Sequence, residues 1–267
     1  MDFALAYTRF ALDGADEGRP PLVMAHGLLG QGRNFGTLAR GFAERRAVYT
    51  VDMRNHGDSP WSPRMDYAAM AADLATFVDE HCGGRAAVLG HSMGGKAAMR
   101  LALESPGKVS ALVVADMAPV AYDHDYHAQL DAMRSIGLEG IRRRNQADEI
   151  LAARIPERQM RAFLLQNLRV SPEGASWKAN LDALAEHMAA ITGWVAPPEG
   201  DAYDGPTLFL SGADSDYVRS EHELEIRYLF PKARFESLAD AGHWLHAEQP
   251  KAFHAAVERF LSGVEEG

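Results

Sequence analysis

With one cysteine, Cys82, in 267 residues, the chain has no intramolecular disulfide to form, and its fold does not depend on an oxidising compartment. It contains no stretch approaching the roughly 18 to 20 uninterrupted apolar residues that a membrane helix needs, so no membrane span is expected. Positive charge is scarce as well: 27 Lys and Arg stand against 37 Asp and Glu, a formal charge of −10. A nucleic-acid binder needs Lys and Arg to replace counterions along a phosphate backbone. No nucleic-acid partner is therefore expected, and the ligand should be small and neutral or weakly polar. The N-terminal "MDFALAYTRF" alternates like a strand and carries neither the basic region nor the apolar run of a secretory signal. Together these absences point to a soluble, cytoplasmic protein.

What is present is an alternation. Short apolar runs occur at "PLVMAH", "AVYTVD", "AAVLGH", "ALVVAD" and "TLFLSG", with a weaker one at "ARFESL". Each ends in a turn residue or a polar one, as buried strands do. Helical patterns lie between most of them: "YAAMAADLATFVDEH" stops at Gly83 and Gly84, and "GGKAAMRLALESP" stops before Pro106. Strands alternating with helices predict a mostly parallel sheet covered on both faces, with chemistry collected at the carboxyl ends of the strands. The alternation fails in residues 119–204, where no convincing strand occurs. There "SWKANLDALAEHMAAI" spaces Trp177, Leu181, Leu184, Met188 and Ile191 by four, three, four and three residues, which predicts an amphipathic helix. We expect an α/β core from residues 1–118 and 205–267, with residues 119–204 an all-helical cap over the strand ends. The Gly- and Pro-rich "GWVAPPEGDAYDGP" reads as the return path to the core.

Three motifs carry chemistry. Gly90-His91-Ser92-Met93-Gly94 is G-x-S-x-G directly after an apolar run and directly before a helix. A sharp strand-to-helix turn there holds a serine in a strained, exposed conformation at a helix N-terminus, where the dipole and the N–H of Met93 favour developing negative charge. "AHGLLG" after the first buried strand lets the N–H of Leu28 face the same place, so Leu28 and Met93 are candidates for an oxyanion hole. Finally, "LADAGHWLHAEQP" puts His243 after the last weak strand and before the C-terminal helix. A nucleophile near the middle of the chain and a histidine near its end is the order of α/β-hydrolases. His246, three residues on and inside the apparent helix, is the weaker candidate for the base.

The chain thus resembles the α/β-hydrolase superfamily over nearly its whole length. More narrowly, "VDMRNHGDSP", "GHSMGGKAAM", "VVADMAPV" and "AGHWLHAE" resemble the YbfF-type bacterial esterases and the related mitochondrial abhydrolase-domain proteins. That resemblance implies a cap over a Ser-His-acid site, no cofactor, and hydrolysis of small acyl esters or thioesters. Ser92 at the nucleophile position sets the chain apart from haloalkane dehalogenases and epoxide hydrolases, which use aspartate there.

The acid is the open question. In most of the superfamily it stands three residues beyond a glycine after the strand that follows the cap. Counting from Gly212 reaches Ser215, with Asp214 one residue early and Asp216 one late. Some lipases of the superfamily place the acid at the end of the preceding strand, where this chain has Asp116, and the YbfF-type resemblance points the same way. A carboxylate at the mouth of a buried strand needs a partner, and an imidazole N–H is a suitable one. Asp116 is the first candidate, Asp214 the second, and Asp216 and Asp182 follow. Ser215 is expected to hydrogen-bond near His243.

Other clusters receive plainer readings. Asp123, His124, Asp125 and His127 fit no metal-ligand spacing and read as a solvated cap entrance. Arg142 to Arg144 read as a solvated helix face, His56 as a hydrogen-bonded loop residue and Cys82 as inert. No metal or cofactor is expected. Competing readings are C–C bond hydrolysis, acyl transfer or perhydrolysis on the same scaffold, or a receptor that keeps the fold with little turnover.

Overall fold

A computed structural model describes residues 3–12, 18–195 and 202–266. Seven strands form one sheet: β1 (Tyr7–Phe10), β2 (Leu22–Ala25), β3 (Val48–Val51), β4 (Ala86–His91), β5 (Val109–Ala115), β8 (Thr207–Gly212) and β9 (Ala233–Leu238). Their order is β1-β3-β2-β4-β5-β8-β9. Only β1 runs antiparallel, against β3, and every other pair is parallel. The apolar runs read from the sequence are these strands, and the predicted parallel sheet is the one observed.

Continuous apolar runs are needed because both faces are covered. Along β4, Ala86 and Val88 join one core cluster while Ala87 and Leu89 join the other. The first cluster packs under α2 (Tyr67–His81) and α3 (Met93–Glu104), the second under α1 (Gly36–Phe42) and the C-terminal α11 (Pro250–Glu265). Helix α2 begins where the Asp66 carboxylate accepts the Ala69 N–H at 2.8 Å, which satisfies one of the orphan donors of the first turn.

Between β5 and β8 the chain leaves the sheet and forms α4 (His127–Arg134), α5 (Arg144–Ala152), α6 (Arg158–Leu164), β6 (Leu168–Ser171), β7 (Gly174–Trp177), α7 (Leu181–Glu186) and α8 (Met188–Thr192). Two expectations fail here. The segment is not all helical, because β6 and β7 pair as an antiparallel hairpin. Its turn is Pro172-Glu173, with Gly174 opening β7 at φ +141°, and strands of four residues are too short to show a clear period. The helix predicted from Trp177 to Ile191 is also interrupted. Trp177 ends β7, the Asn180 side chain caps α7 by accepting the Ala183 N–H at 3.2 Å, and His187 separates α7 from α8. Leu181, Leu184, Met188 and Ile191 are nonetheless buried, so the apolar stripe packs although the helix breaks. Of the return path, residues 196–201 lie outside the described residues. After β8 come α9 (Glu223–Leu229), β9 and a single turn, α10 (Leu245–Glu248), that leads into α11.

Candidate active site

Ser92 stands at the tight turn from β4 into α3 with φ 53° and ψ −120°. That conformation is costly for a residue with a Cβ, and it persists only where the surroundings enforce it. Here they do: a Cβ on Gly90 would lie 2.1 Å from the Gly94 carbonyl oxygen, and one on Gly94 would lie 2.3 Å from that of Ala25. The two glycines let α3 start directly against β2 and β4, and the Ser92 N–H is held by the Ala115 carbonyl at 3.1 Å.

The ends of β5 and β8 and the loop after β9 converge on this serine. His243 Nε2 is 3.0 Å from Ser92 Oγ, and His243 Nδ1 is 2.7 Å from Asp116 Oδ2. Asp116, immediately after β5 at φ +50°, is 0 % exposed. A buried carboxylate is tolerable only when its lone pairs are filled. Gly212 N–H donates to Oδ1 at 3.1 Å, and the Ser215 hydroxyl and His243 both bond Oδ2. Ser215 therefore bonds the carboxylate itself. Asp214 and Asp216 are exposed, and Asp214 contributes its N–H to the Ala241 carbonyl at 2.9 Å, shaping the turn. Asp182 lies on the surface beside Arg134.

The loop carrying Leu28 is fixed by buried groups. His26 Nδ1 donates to the Gly27 carbonyl at 2.7 Å, and its Nε2 accepts the Met53 N–H at 3.0 Å. His56 Nδ1 donates to the Arg54 carbonyl at 2.9 Å, and its Nε2 accepts the Leu29 N–H at 3.0 Å. Both rings must be neutral to do this. Burial lowers His26 to about 4 and His56 to about 3. Leu29, at φ 59°, is pinned from its other side by Asn167, whose Nδ2 donates to the Leu29 carbonyl at 2.7 Å. Among the described residues no protein group accepts the N–H of Leu28 or of Met93, which leaves both available to an oxyanion.

The sequence reading left out several residues. His91, inside the G-x-S-x-G string, donates from Nε2 to the His243 carbonyl at 2.7 Å, steadying the backbone of the candidate base. Tyr217 stacks on the His243 ring at 3.8 Å between centroids; it follows Ser215 and Asp216, but spacing alone gives no signal for a ring stack. His246 makes no hydrogen bond to Ser92, whose Oγ partner is His243; its Nδ1 is buried without a partner, and burial lowers it to about 4. Among the described residues no group of three or more His, Cys, Asp or Glu is arranged to hold a metal. His127 pairs with Asp125 at 2.6 Å, and Arg142 to Arg144 are exposed. Cys82 is buried, and desolvation pushes its thiol up to about 12, far from the thiolate that reactivity needs.

A cavity of about 490 Å³ opens on Ser92 and His243, walled by the core at Leu28 and Trp244 and by the inserted segment at Tyr126 and Phe163. Comparison with known proteins agrees with this architecture. The mouse protein named sn-1-specific diacylglycerol lipase ABHD11 is 42% identical over 94% of this chain and 83% of its own. Esterase YbfF of Escherichia coli (strain K12) is 37% identical over 91% of this chain and 93% of its own. A solved structure described as a marine microorganism esterase superposes with a TM-score of 0.90 at 33% identity, covering 97% of this chain and 99% of that one. Residues 20–250 match the family model for the alpha/beta hydrolase fold, and the chain, an esterase/lipase-type enzyme by its relatives, belongs to that family.

Proposed function

We propose that the protein is a serine carboxylic-ester hydrolase acting on small-molecule acyl esters, and on thioesters by the same chemistry, through a Ser92-His243-Asp116 triad. The observation that carries this reading is the unbroken chain Ser92 Oγ, His243 and Asp116, at 3.0 and 2.7 Å. His243 Nε2 takes the Ser92 proton as Oγ bonds to the acyl carbon, then gives it to the leaving oxygen or sulfur as that bond breaks. Water next adds to the acyl-enzyme, passing one proton through His243 back to Ser92 and releasing the acid. Asp116 keeps the imidazole in the tautomer with hydrogen on Nδ1. The N–H groups of Leu28 and Met93 bind the oxyanion, each such donor being worth about 3 to 4 kcal/mol in the transition state. Residues 119–204 act as a cap, supported by Tyr126 and Phe163 in the cavity wall. The lone, buried Cys82 asks for no oxidising compartment, which suits a cytoplasmic enzyme.

Ser92→Ala should abolish both ester turnover and labelling by a fluorophosphonate. Asp116→Asn should lower kcat by about 10⁴-fold, as loss of the correct tautomer does. Asp214→Asn, at an exposed turn, should stay within about threefold, since surface changes away from such features are usually small. Comparable losses in both aspartate variants would break the assignment.

A further inference from the structure

Two cavities of very different size meet at Ser92. Ser92 and Leu28 stand in the walls of both. The larger, about 490 Å³, also has His243 in its wall. The smaller, about 30 Å³, has Met93, Lys96, Met117 and Ile191, and does not include His243.

The geometry of acyl transfer decides what each receives. In the tetrahedral intermediate, the carbon bonded to Ser92 Oγ also carries the oxyanion, the leaving-group heteroatom and the first carbon of the acyl chain. The leaving heteroatom must meet the proton on His243 Nε2, so the leaving group lies in the cavity that has the imidazole in its wall. The acyl chain is left the direction past the oxyanion donors, into the smaller cavity. We infer that the small cavity is the acyl pocket and the large one the leaving-group pocket, so that the preferred substrates are short acyl groups carried by bulky alcohols or thiols. This rests on the esterase reading above.

Size sets the limit. A single water requires about 10 to 15 Å³ on this measure, so about 30 Å³ takes two or three heavy atoms beyond the carbonyl carbon. The walls are also tied. Lys96 Nζ donates to the Thr192 and Gly193 carbonyls at 2.8 and 2.7 Å, and the Tyr67 hydroxyl donates to the Ile191 carbonyl. Tyr122 accepts the Ala118 N–H at 2.9 Å through its hydroxyl and donates its own N–H to the Thr192 carbonyl at 3.0 Å. A longer chain has to break buried hydrogen bonds to enter, whereas the large cavity already has room.

The test is kcat/KM for the wild-type protein on p-nitrophenyl acetate, butyrate and octanoate, and on methyl and octyl acetate, whose alkanols leave comparably. Octanoate should fall at least about 100-fold below butyrate, since each misplaced methylene is worth about 10- to 200-fold in a tight pocket, while octyl acetate should match or exceed methyl acetate. Ile191→Ala should raise the octanoate-to-acetate ratio about tenfold, and Phe163→Ala, in the wall of the large cavity, should leave that ratio where it is. The ratio does not depend on how much of a variant folds, and the wild-type series decides the matter if Ile191→Ala yields no soluble protein. Octanoate cleaved as well as butyrate, or a ratio that moves with Phe163 and not with Ile191, overturns the assignment of the two cavities. No cleavage of any ester overturns the esterase reading instead.

Discussion

Lys96 lies one turn past Ser92 on α3, its N–H bonded to the Ser92 carbonyl at 3.1 Å, and it is 1 % exposed. Its ammonium group faces two carbonyls and the Tyr122 and Tyr67 rings at 4.8 and 5.7 Å, and among the described residues no carboxylate pairs with it. Desolvation lowers it from 10.5 to about 7. Between those values the unfolded chain holds a proton that the folded chain has lost, so stability rises with pH across that window. From pH 7 to pH 10 the wild type should gain on Lys96→Met by up to about 1.4 kcal/mol per pH unit, measured by urea unfolding. A difference that stays constant with pH would mean that Lys96 remains charged when folded. At this scale legibility followed local grammar. The three side chains that the geometry brings together, Ser92, His243 and Asp116, were candidates for different reasons: Ser92 and His243 because their neighbours in sequence create their setting, and Asp116 because an acid ends a purely apolar run and the YbfF-type resemblance points to that strand end. Lys96 was not, since a lysine after the nucleophile turn reads as a solvated helix face and only the packing of the inserted segment over α3 buries it.

Among the elements, the short helical turn Leu165–Asn167 joins the inserted segment to the loop after β2. Besides the Asn167 bond to Leu29, Gln31 Nε2 donates to the Gln166 carbonyl at 3.0 Å and to Asn167 Oδ1 at 3.2 Å. Asn167, 0 % exposed, is a positioning residue for the Leu28 N–H on the proposed mechanism. Asn167→Ala should lower kcat about tenfold or more while KM stays within about threefold, the pattern of an interaction felt mainly in the transition state. Equal changes in both, or a change in thermal stability alone, would assign it a purely structural part. The sheet and its flanking helices were legible because burial on both faces imposes continuous apolar strands. The hairpin β6–β7 was not, because four-residue strands show no clear period, nor was the late start of α7, because Asn180 caps it by a single hydrogen bond that leaves the apolar period unchanged.

For the molecule as a whole, four histidines held neutral inside it govern its response to acid. Burial lowers His26 and His246 to about 4, His56 to about 3, and His91 well below the usual range. Unfolded, each takes a proton near 6.5, so their contribution is fully present above that pH and is lost as acidification proceeds toward the folded values. The buried Asp73 carboxyl, raised by desolvation, works the other way. The urea midpoint should therefore fall from pH 7.5 to pH 5, each histidine contributing at most about 1.4 kcal/mol per pH unit below 6.5. A midpoint unchanged over that interval would show that the four rings titrate alike in the folded and unfolded chain. The chain order of the site has a different consequence, in time. His243 lies 127 residues beyond Asp116 and 151 beyond Ser92. A ribosome-bound chain that has emerged only through Asp116 displays the serine and the carboxylate without the base, so on the proposed roles synthesis itself withholds activity until β9 and the loop carrying His243 have been made and have docked.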